Sequence, residues 1–205
     1  MSVIAIIPAR KDSKRLNCKN TKLLCGKPMI EYTFDVATKS RYIDTVIVSS
    51  DDNEVKKIYN NYRFNPSIVH SVFIRRPKNL RGDDVPMMDV VKHTIDNYKY
   101  LQEESNVFVI LQPTSPLRTA DDIDRCIDVF LSGLFSSVMT VTKAQSWHYK
   151  LNGAVYVLSK KMIDNNCLYD ENTGLVIMPY ERSIDVDYIE DFDLCEMIME
   201  TDKRC

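Results

Sequence analysis

The sequence predicts an α/β fold: a mostly parallel sheet with helices on both of its faces. Two observations lead there. Short runs of apolar, β-branched residues alternate with segments whose apolar residues recur at helical spacing, the βαβ rhythm that joins parallel strands through crossover helices. The run Val107-Phe108-Val109-Ile110-Leu111 has no polar alternation, which is how a strand reads when both its faces are covered.

Taken in order, residues 3–7 form the first strand, an apolar run that ends at Pro8 and Arg10. A helix is expected from 28 to about 40, with Pro28 opening its first turn. A strand over 45–49, a helix from 53 to about 62 and a short strand over 72–74 follow. From 85 to about 101, Val85, Met88, Val91, Ile95 and Tyr98 fall at helical spacing. After the strand at 107–111 comes a helix over 120–131, where Ile123, Ile127 and Phe130 recur on one side. Strands are expected near 137–141, 154–158 and 175–178, and a last helix from about 188 to 200. With no linker, repeat or low-complexity stretch, residues 1–205 are expected to form a single domain.

Composition narrows the function. Lys and Arg total 27 against 29 Asp and Glu, a formal net charge of −2, which argues against a nucleic-acid binder that works by neutralising many phosphates. No apolar run approaches the ~20 residues that span a bilayer, and the apolar start is broken too early for a signal peptide. A cytoplasmic protein without a nucleic-acid or membrane partner is expected. The six cysteines are scattered without a CxxC, and the three histidines are far apart. Free thiols and no zinc site are the expectation.

Three segments carry the chemistry. After the first strand, Arg10, Lys11, Lys14, Arg15, Lys19, Lys22 and Lys27 crowd positive charge beside a single Asp12. A cationic loop at a strand's carboxyl end suits a polyphosphate; from charge alone, an ordinary solvated loop fits as well. The glycine spacings of a Walker loop or a dinucleotide fingerprint are absent. After the fourth strand, Gln112-Pro113-Thr114-Ser115-Pro116 makes a stiff turn facing the same sheet edge, with Gln112 placed to hydrogen-bond a ligand. Near the end, Ser183-Ile184-Asp185-Val186-Asp187 alternates, so both carboxylates share one face of an extended segment. A Mg2+ ion between them is one explanation; a helix cap by Asp187 is the other.

Together these segments resemble the acylneuraminate (CMP-sialic acid) cytidylyltransferases and their relatives acting on legionaminic, pseudaminic and 3-deoxy-manno-octulosonic acids. The resemblance rests on Ile7-Pro8-Ala9-Arg10, Ser13-Lys14, Lys19-Asn20, Val48-Ser49-Ser50-Asp51, Arg76-Pro77, the full LQPTSPLR at 111–118, Asn152-Gly153-Ala154-Val155-Tyr156, Asp185-Val186-Asp187 and Asp191-Phe192. It implies a three-layer α/β/α fold of the nucleotide-diphospho-sugar transferase type, with a mixed, mainly parallel sheet. It implies a Mg2+-dependent reaction, with Mn2+ as a substitute, that joins CTP to a sialic-acid-like keto sugar acid. Other bases or sugars, and a nucleotide-binding homologue with little turnover, are the alternatives. By position, Arg10, Ser13, Lys19 and Asn20 would hold the triphosphate, with Lys19 nearest the reacting phosphorus. Arg76 to Asp83 would surround base and ribose, Gln112 and Asn152 would face the sugar, and Asp185 and Asp187 would hold the metal. Lys19, Arg10 and Asp187 would be catalytic.

The sequence departs from the family pattern in three places. Lys11-Asp12 stands where many relatives have Gly-Gly, and Asn17-Cys18 where a proline is frequent. Only a short stretch separates the strand near 138–142 from Asn152, where relatives insert a longer segment that reaches a partner subunit. The family's homodimer is therefore left open. The cationic contact to the sugar carboxylate would fall to Lys143, His148 or Lys150.

Overall fold

The computed structural model describes residues 1–11, 13–82, 84–98, 107–144 and 148–202. The chain runs β1 (Val3–Ala9), a small antiparallel pair β2 (Leu23–Leu24) and β3 (Lys27–Pro28), α1 (Met29–Lys39), β4 (Thr45–Ser50), α2 (Asn53–Asn61) and β5 (His70–Arg75). It continues through α3 (Met87–Asp96), β6 (Val107–Ile110), α4 (Ala120–Leu131), β7 (Ser137–Lys143), β8 (Tyr149–Ser159), α5 (Lys160–Asp164), β9 (Thr173–Ile177) and α6 (Ile189–Thr201). Seven strands form one sheet in the order β5-β4-β1-β6-β8-β7-β9. All neighbours are parallel except β8, which runs antiparallel to both β6 and β7. The expected mixed, mainly parallel sheet is present.

Period-2 alternation along the central strands builds the two cores. In β1, Val3, Ala5, Ile7 and Ala9 face one side and Ile4 and Ile6 the other; in β6, Val107 and Val109 oppose Phe108 and Ile110. The first face is covered by α1 through Ile30, Phe34 and Ala37, by α2 through Val55, and by α4 through Ile123, Cys126 and Ile127. The second is covered by α3 through Met88, Val91 and Ile95, and by α5 through Met162 and Ile163. That is the three-layer arrangement. Each fully buried Ile or Phe stabilises it by about 1.5–3 kcal/mol. A third cluster joins Leu16, Leu24, Met29 and Leu117 to Ile184, Val186 and Phe192, Cys195 and Met199 of α6. It pins the C-terminal segment beneath the loop that follows β1.

Two expectations need correction here. The helix expected from residue 85 begins at Met87 and ends at Asp96. Pro86 caps it and cannot be preceded by helical backbone without a clash, so Val85 stays outside; the expected tail at 99–101 lies outside the described residues. Cys18, Cys126 and Cys167 are free thiols, but Cys25 is disulfide-bonded, because spacing along a chain does not report which thiols a fold brings together. No helix among the described residues is long and apolar enough to cross a membrane.

Candidate active site

The carboxyl ends of β1, β5 and β6 open onto one cavity of about 240 Å³, at the strand ends where open α/β sheets bind ligands. Arg10, Ser13, Lys19, Asn20, Arg76, Gln112, Asp185 and Asp187 all line it. Eight of the ten residues expected at the site are therefore gathered in one place. Asp83 lies outside the described residues. Asn152 is treated below.

The loop after β1 is shaped by its own polar contacts. Asn20 donates from Nδ2 to the Arg10 carbonyl at 2.9 Å, and the Lys11 N–H donates to Asp51 Oδ1 at 2.9 Å. Cys18 takes a left-handed conformation, φ 51°, and its carbonyl accepts from both Thr21 and Lys22 N–H at 2.9 Å. This turn buries Lys19. Its ammonium, 8% exposed, donates to the Val186 carbonyl at 2.7 Å and to Asp187 Oδ1 at 3.0 Å. Arg15 pairs with Oδ2 of the same carboxylate and lies 5.5 Å over the Tyr188 ring.

The cap reading of Asp187 is not borne out. The helix cap is supplied by Asp191, whose Oδ2 accepts the N–H of Asp187 at 3.0 Å and of Tyr188 at 2.8 Å. Asp187 instead faces the cations. Residues 183–187 alternate as expected, with Ile184 and Val186 in the third core cluster and Asp185 and Asp187 on the cavity, although the segment joins no strand ladder. The Asp185 carboxyl is held above the ordinary carboxylate range, first by the protein packed around it and then by Asp187, against the pull of Thr114 and Lys19.

Arg76 sits 5% exposed, with Nε donating to the Ser49 carbonyl at 3.1 Å. Burial lowers its pKa to about 10; Asp51 opposes that and Arg10 adds to it. It remains a cation at neutral pH, and its Nη2 has no hydrogen-bond partner.

At the far side of the cavity, Gln112 donates from Nε2 to Met87 Sδ at 3.3 Å. Gly153 backs it with φ +73°: a Cβ there would lie 3.2 Å from Gln112 Oε1 and 3.8 Å from Asp185 Oδ2. The β7–β8 register shifts between Met139 and Val141, beside this turn, a bulge that lets the backbone approach closely.

Asn152 does not line the cavity with Gln112 as expected. It is 5% exposed, and its amide turns into the sheet to bond Thr140 and Ser183. Lys143, His148 and Lys150 are exposed on the β7–β8 hairpin and do not line the cavity either.

Two further anchors escaped the sequence reading. Arg118, 2% exposed, donates to the carbonyls of Gln112 and Ala154 at 3.1 and 2.6 Å and to Thr33 Oγ1 at 2.9 Å, fixing the turn that carries Gln112. Burial lowers its pKa to about 9, against the pull of Asp122. Arg182, just before the carboxylate segment, grips Asp122 of α4 through both carboxylate oxygens at 2.9 and 2.8 Å. Thr119 and Asp122, three apart at the start of a helix, were a readable capping signal; the arginine partner 60 residues away was not.

A family model described as Cytidylyltransferase matches residues 4–193. The chain belongs to the cytidylyltransferase family. The match spans every site residue named above. A CMP-N,N'-diacetyllegionaminic acid synthase of Legionella pneumophila is similar to this cytidylyltransferase family member at 30% identity, covering 100% of this chain and 99% of that one. An N-acylneuraminate cytidylyltransferase of Escherichia coli is 26% identical over 98% of this chain but 53% of its own length, so the chain spans about half of that relative. Among solved structures, a CMP:2-keto-3-deoxy-manno-octonic acid synthetase complexed with CTP shares the fold, with a TM-score of 0.75 at 13% identity, covering 98% and 100% of the two chains.

Proposed function

We propose that the chain transfers CMP from CTP to a sialic-acid-like 2-keto sugar acid, releasing pyrophosphate. The observation that carries this reading is one cavity that gathers cations and carboxylates side by side: the buried ammonium of Lys19, 3.0 Å from Asp187, with Arg10 and Asp185 on the same lining. Family membership and the names of the relatives support the base and the class of sugar.

The anomeric hydroxyl of the sugar acid attacks the α-phosphorus, a P–O bond forms, and the bond to the pyrophosphate oxygen breaks as the hydroxyl proton passes to water. The chain's part is positioning and charge neutralisation. Lys19, held rigid between Val186 and Asp187, meets the charge that develops on the α-phosphate. Arg10 and Ser13 take the outer phosphates, while Asn20 acts by holding the Arg10 backbone. Arg76 offers its Nη2 donor to the nucleoside, and Gln112 orients the sugar.

By their chemistry Asp185 and Asp187 suit a hard divalent cation, in exchange for the Lys19 and Arg15 pairings that hold the two oxygens of Asp187. Two carboxylates lining a phosphate-sized cavity are the share of ligands that proteins commonly give Mg2+, with waters and phosphates completing the set. Asp185 and Asp187 would hold it, and when bound it would neutralise triphosphate charge.

A pyrophosphate-release assay with CTP, UTP, GTP and ATP against several keto sugar acids tests the proposal, alongside thermal-shift titrations with the same nucleotides. CTP is expected to give the largest shift and the turnover, lost in EDTA and restored by Mg2+ or Mn2+. A larger shift with GTP would overturn the base assignment, and tight CTP binding without product from any keto sugar acid would overturn the reaction.

A further inference from the structure

We propose that Asn152 is a positioning residue for the Asp185–Asp187 carboxylate pair, acting through Ser183, and not a contact for the sugar acid. The inference rests on the reading of that pair as the acidic part of the nucleotide site.

Asn152 has no hydrogen-bonding capacity left for a substrate. Its Oδ1 accepts from Thr140 Oγ1 at 2.6 Å and from the Ala154 N–H at 3.2 Å. Its Nδ2 donates to Ser183 Oγ at 3.0 Å and faces Met178 Sδ at 3.4 Å. Two acceptor sites and two donors are all that a carboxamide offers. A sugar hydroxyl or carboxylate could reach it only by displacing bonds inside the protein.

Those bonds form a directed chain. The Val155 N–H donates to Thr140 Oγ1 at 2.9 Å, Thr140 donates to Asn152, Asn152 donates to Ser183, and the Ser183 hydroxyl donates to the Pro179 carbonyl at 2.8 Å. Each hydroxyl both accepts and donates, so the orientation of one member fixes the next, and such chains strengthen cooperatively. The chain crosses from β7 and β8 to the start of the segment that bears the carboxylates.

Ser183 closes the 3-10 turn Tyr180–Arg182, with φ −103° and ψ 12°. From there residues 184–187 leave in extended form, and a rotation at Ser183 would swing Asp185 out of the cavity. The segment is tied farther along by the Val186 N–H to the Thr114 carbonyl at 2.7 Å and by Lys19. At its root it is tied by Asn152 through Ser183, next to the Arg182–Asp122 pair. Gly153, the next residue, backs Gln112, so one turn of β8 sets both ends of the cavity.

The test varies CTP with metal and the sugar acid separately in Asn152→Ala, Ser183→Ala, the double variant and Ser183→Thr, with Mn2+ binding in the presence of CTP followed by electron paramagnetic resonance. Supporting ligands in this way carries 10–100-fold effects on metal affinity in other sites. Asn152→Ala and Ser183→Ala are each expected to weaken Mn2+ binding and raise the CTP KM by about tenfold, leaving the sugar KM unchanged. The double variant is expected to be no worse than the worse single one, and Ser183→Thr, which keeps the hydroxyl, to bind Mn2+ as wild type does. A raised sugar KM with unchanged Mn2+ and CTP binding in Asn152→Ala would overturn the proposal, as would fully additive effects. Asp187→Asn separates the two readings. If it leaves Mn2+ binding intact, the reading of the carboxylate pair fails; if it abolishes binding while Asn152→Ala and Ser183→Ala bind normally, only this proposal fails.

Discussion

Arg182→Met tests how the carboxylate segment is tied to the body of the fold. The change keeps much of the aliphatic stem and removes the guanidinium that bonds both oxygens of Asp122 at 2.9 and 2.8 Å. The Asp122 side chain is 0% exposed and that of Arg182 is 28% exposed. Breaking a buried pair from one side costs about 3–5 kcal/mol, because a buried charge is left behind. Here the lower end applies, since the Thr119 N–H and hydroxyl still donate to Asp122 at 3.0 and 2.8 Å and Arg182 is partly solvated. A loss of about 3 kcal/mol in a chain of this length lowers Tm by about 6–12 °C. The pH dependence follows from the sign of the shift. Burial alone would raise the Asp122 pKa, but the bonds from Arg182 and Thr119 outweigh it and hold the carboxyl below its ordinary value. Its stabilisation is therefore full above the unfolded value of ~3.9 and fades as pH falls through the lower folded value. Urea titrations of wild type and variant at stepped pH should show a gap that narrows as pH falls, because Asp122 without Arg182 takes up its proton before the wild-type carboxyl does. A Tm drop under ~2 °C, or a gap that widens in acid, would refute the reasoning.

Three further outcomes are expected. Lys19→Ala should lower kcat by about two orders of magnitude, since it removes the buried cation that the proposed function assigns to the reacting phosphate; single-turnover kinetics would show it, and wild-type turnover would count against that assignment. Gly153→Ala forces a side chain into φ +73° and 3.2 Å from Gln112 Oε1; a left-handed residue costs roughly 1–2 kcal/mol, so Tm should fall by a few degrees and the sugar KM should rise. Burial pushes the Cys126 thiol up to about 12, so maleimide should label exposed Cys18 in the native protein and reach Cys126 only after unfolding, as peptide mass mapping would read.

Most elements were legible because their signals are local. α4 begins and ends as expected since Thr119 and Asp122 mark its start and its apolar stripe is long enough to count. The central strands were readable because a strand covered on both faces has no polar residue to interrupt it. α5, only five residues, was not anticipated, since so short a helix shows no period. The alternation of residues 184–187 was readable even without a ladder, because Ile184 and Val186 must be buried whatever the backbone bonds to. The cavity's members could be named from their motifs, but the direction of each side chain could not. Asn152 belongs to the right turn yet points into the sheet, and its partners, Thr140 and Ser183, are 12 and 31 residues away.

The third core cluster has a consequence for how the protein is made. Leu16, Leu24, Met29 and Leu117 emerge from the ribosome long before Ile184, Val186, Phe192, Cys195 and Met199, the residues that cover them. Lys19 and Asp187 are 168 positions apart, which at about 5–20 residues per second is roughly 8–34 s of synthesis. During that interval the central strands β1, β4, β5 and β6 can already pair, while an oily patch beside the cationic loop stays open to water. The nascent chain is thus exposed to aggregation beside the very loop that lines the cavity, until α6 arrives to cover it.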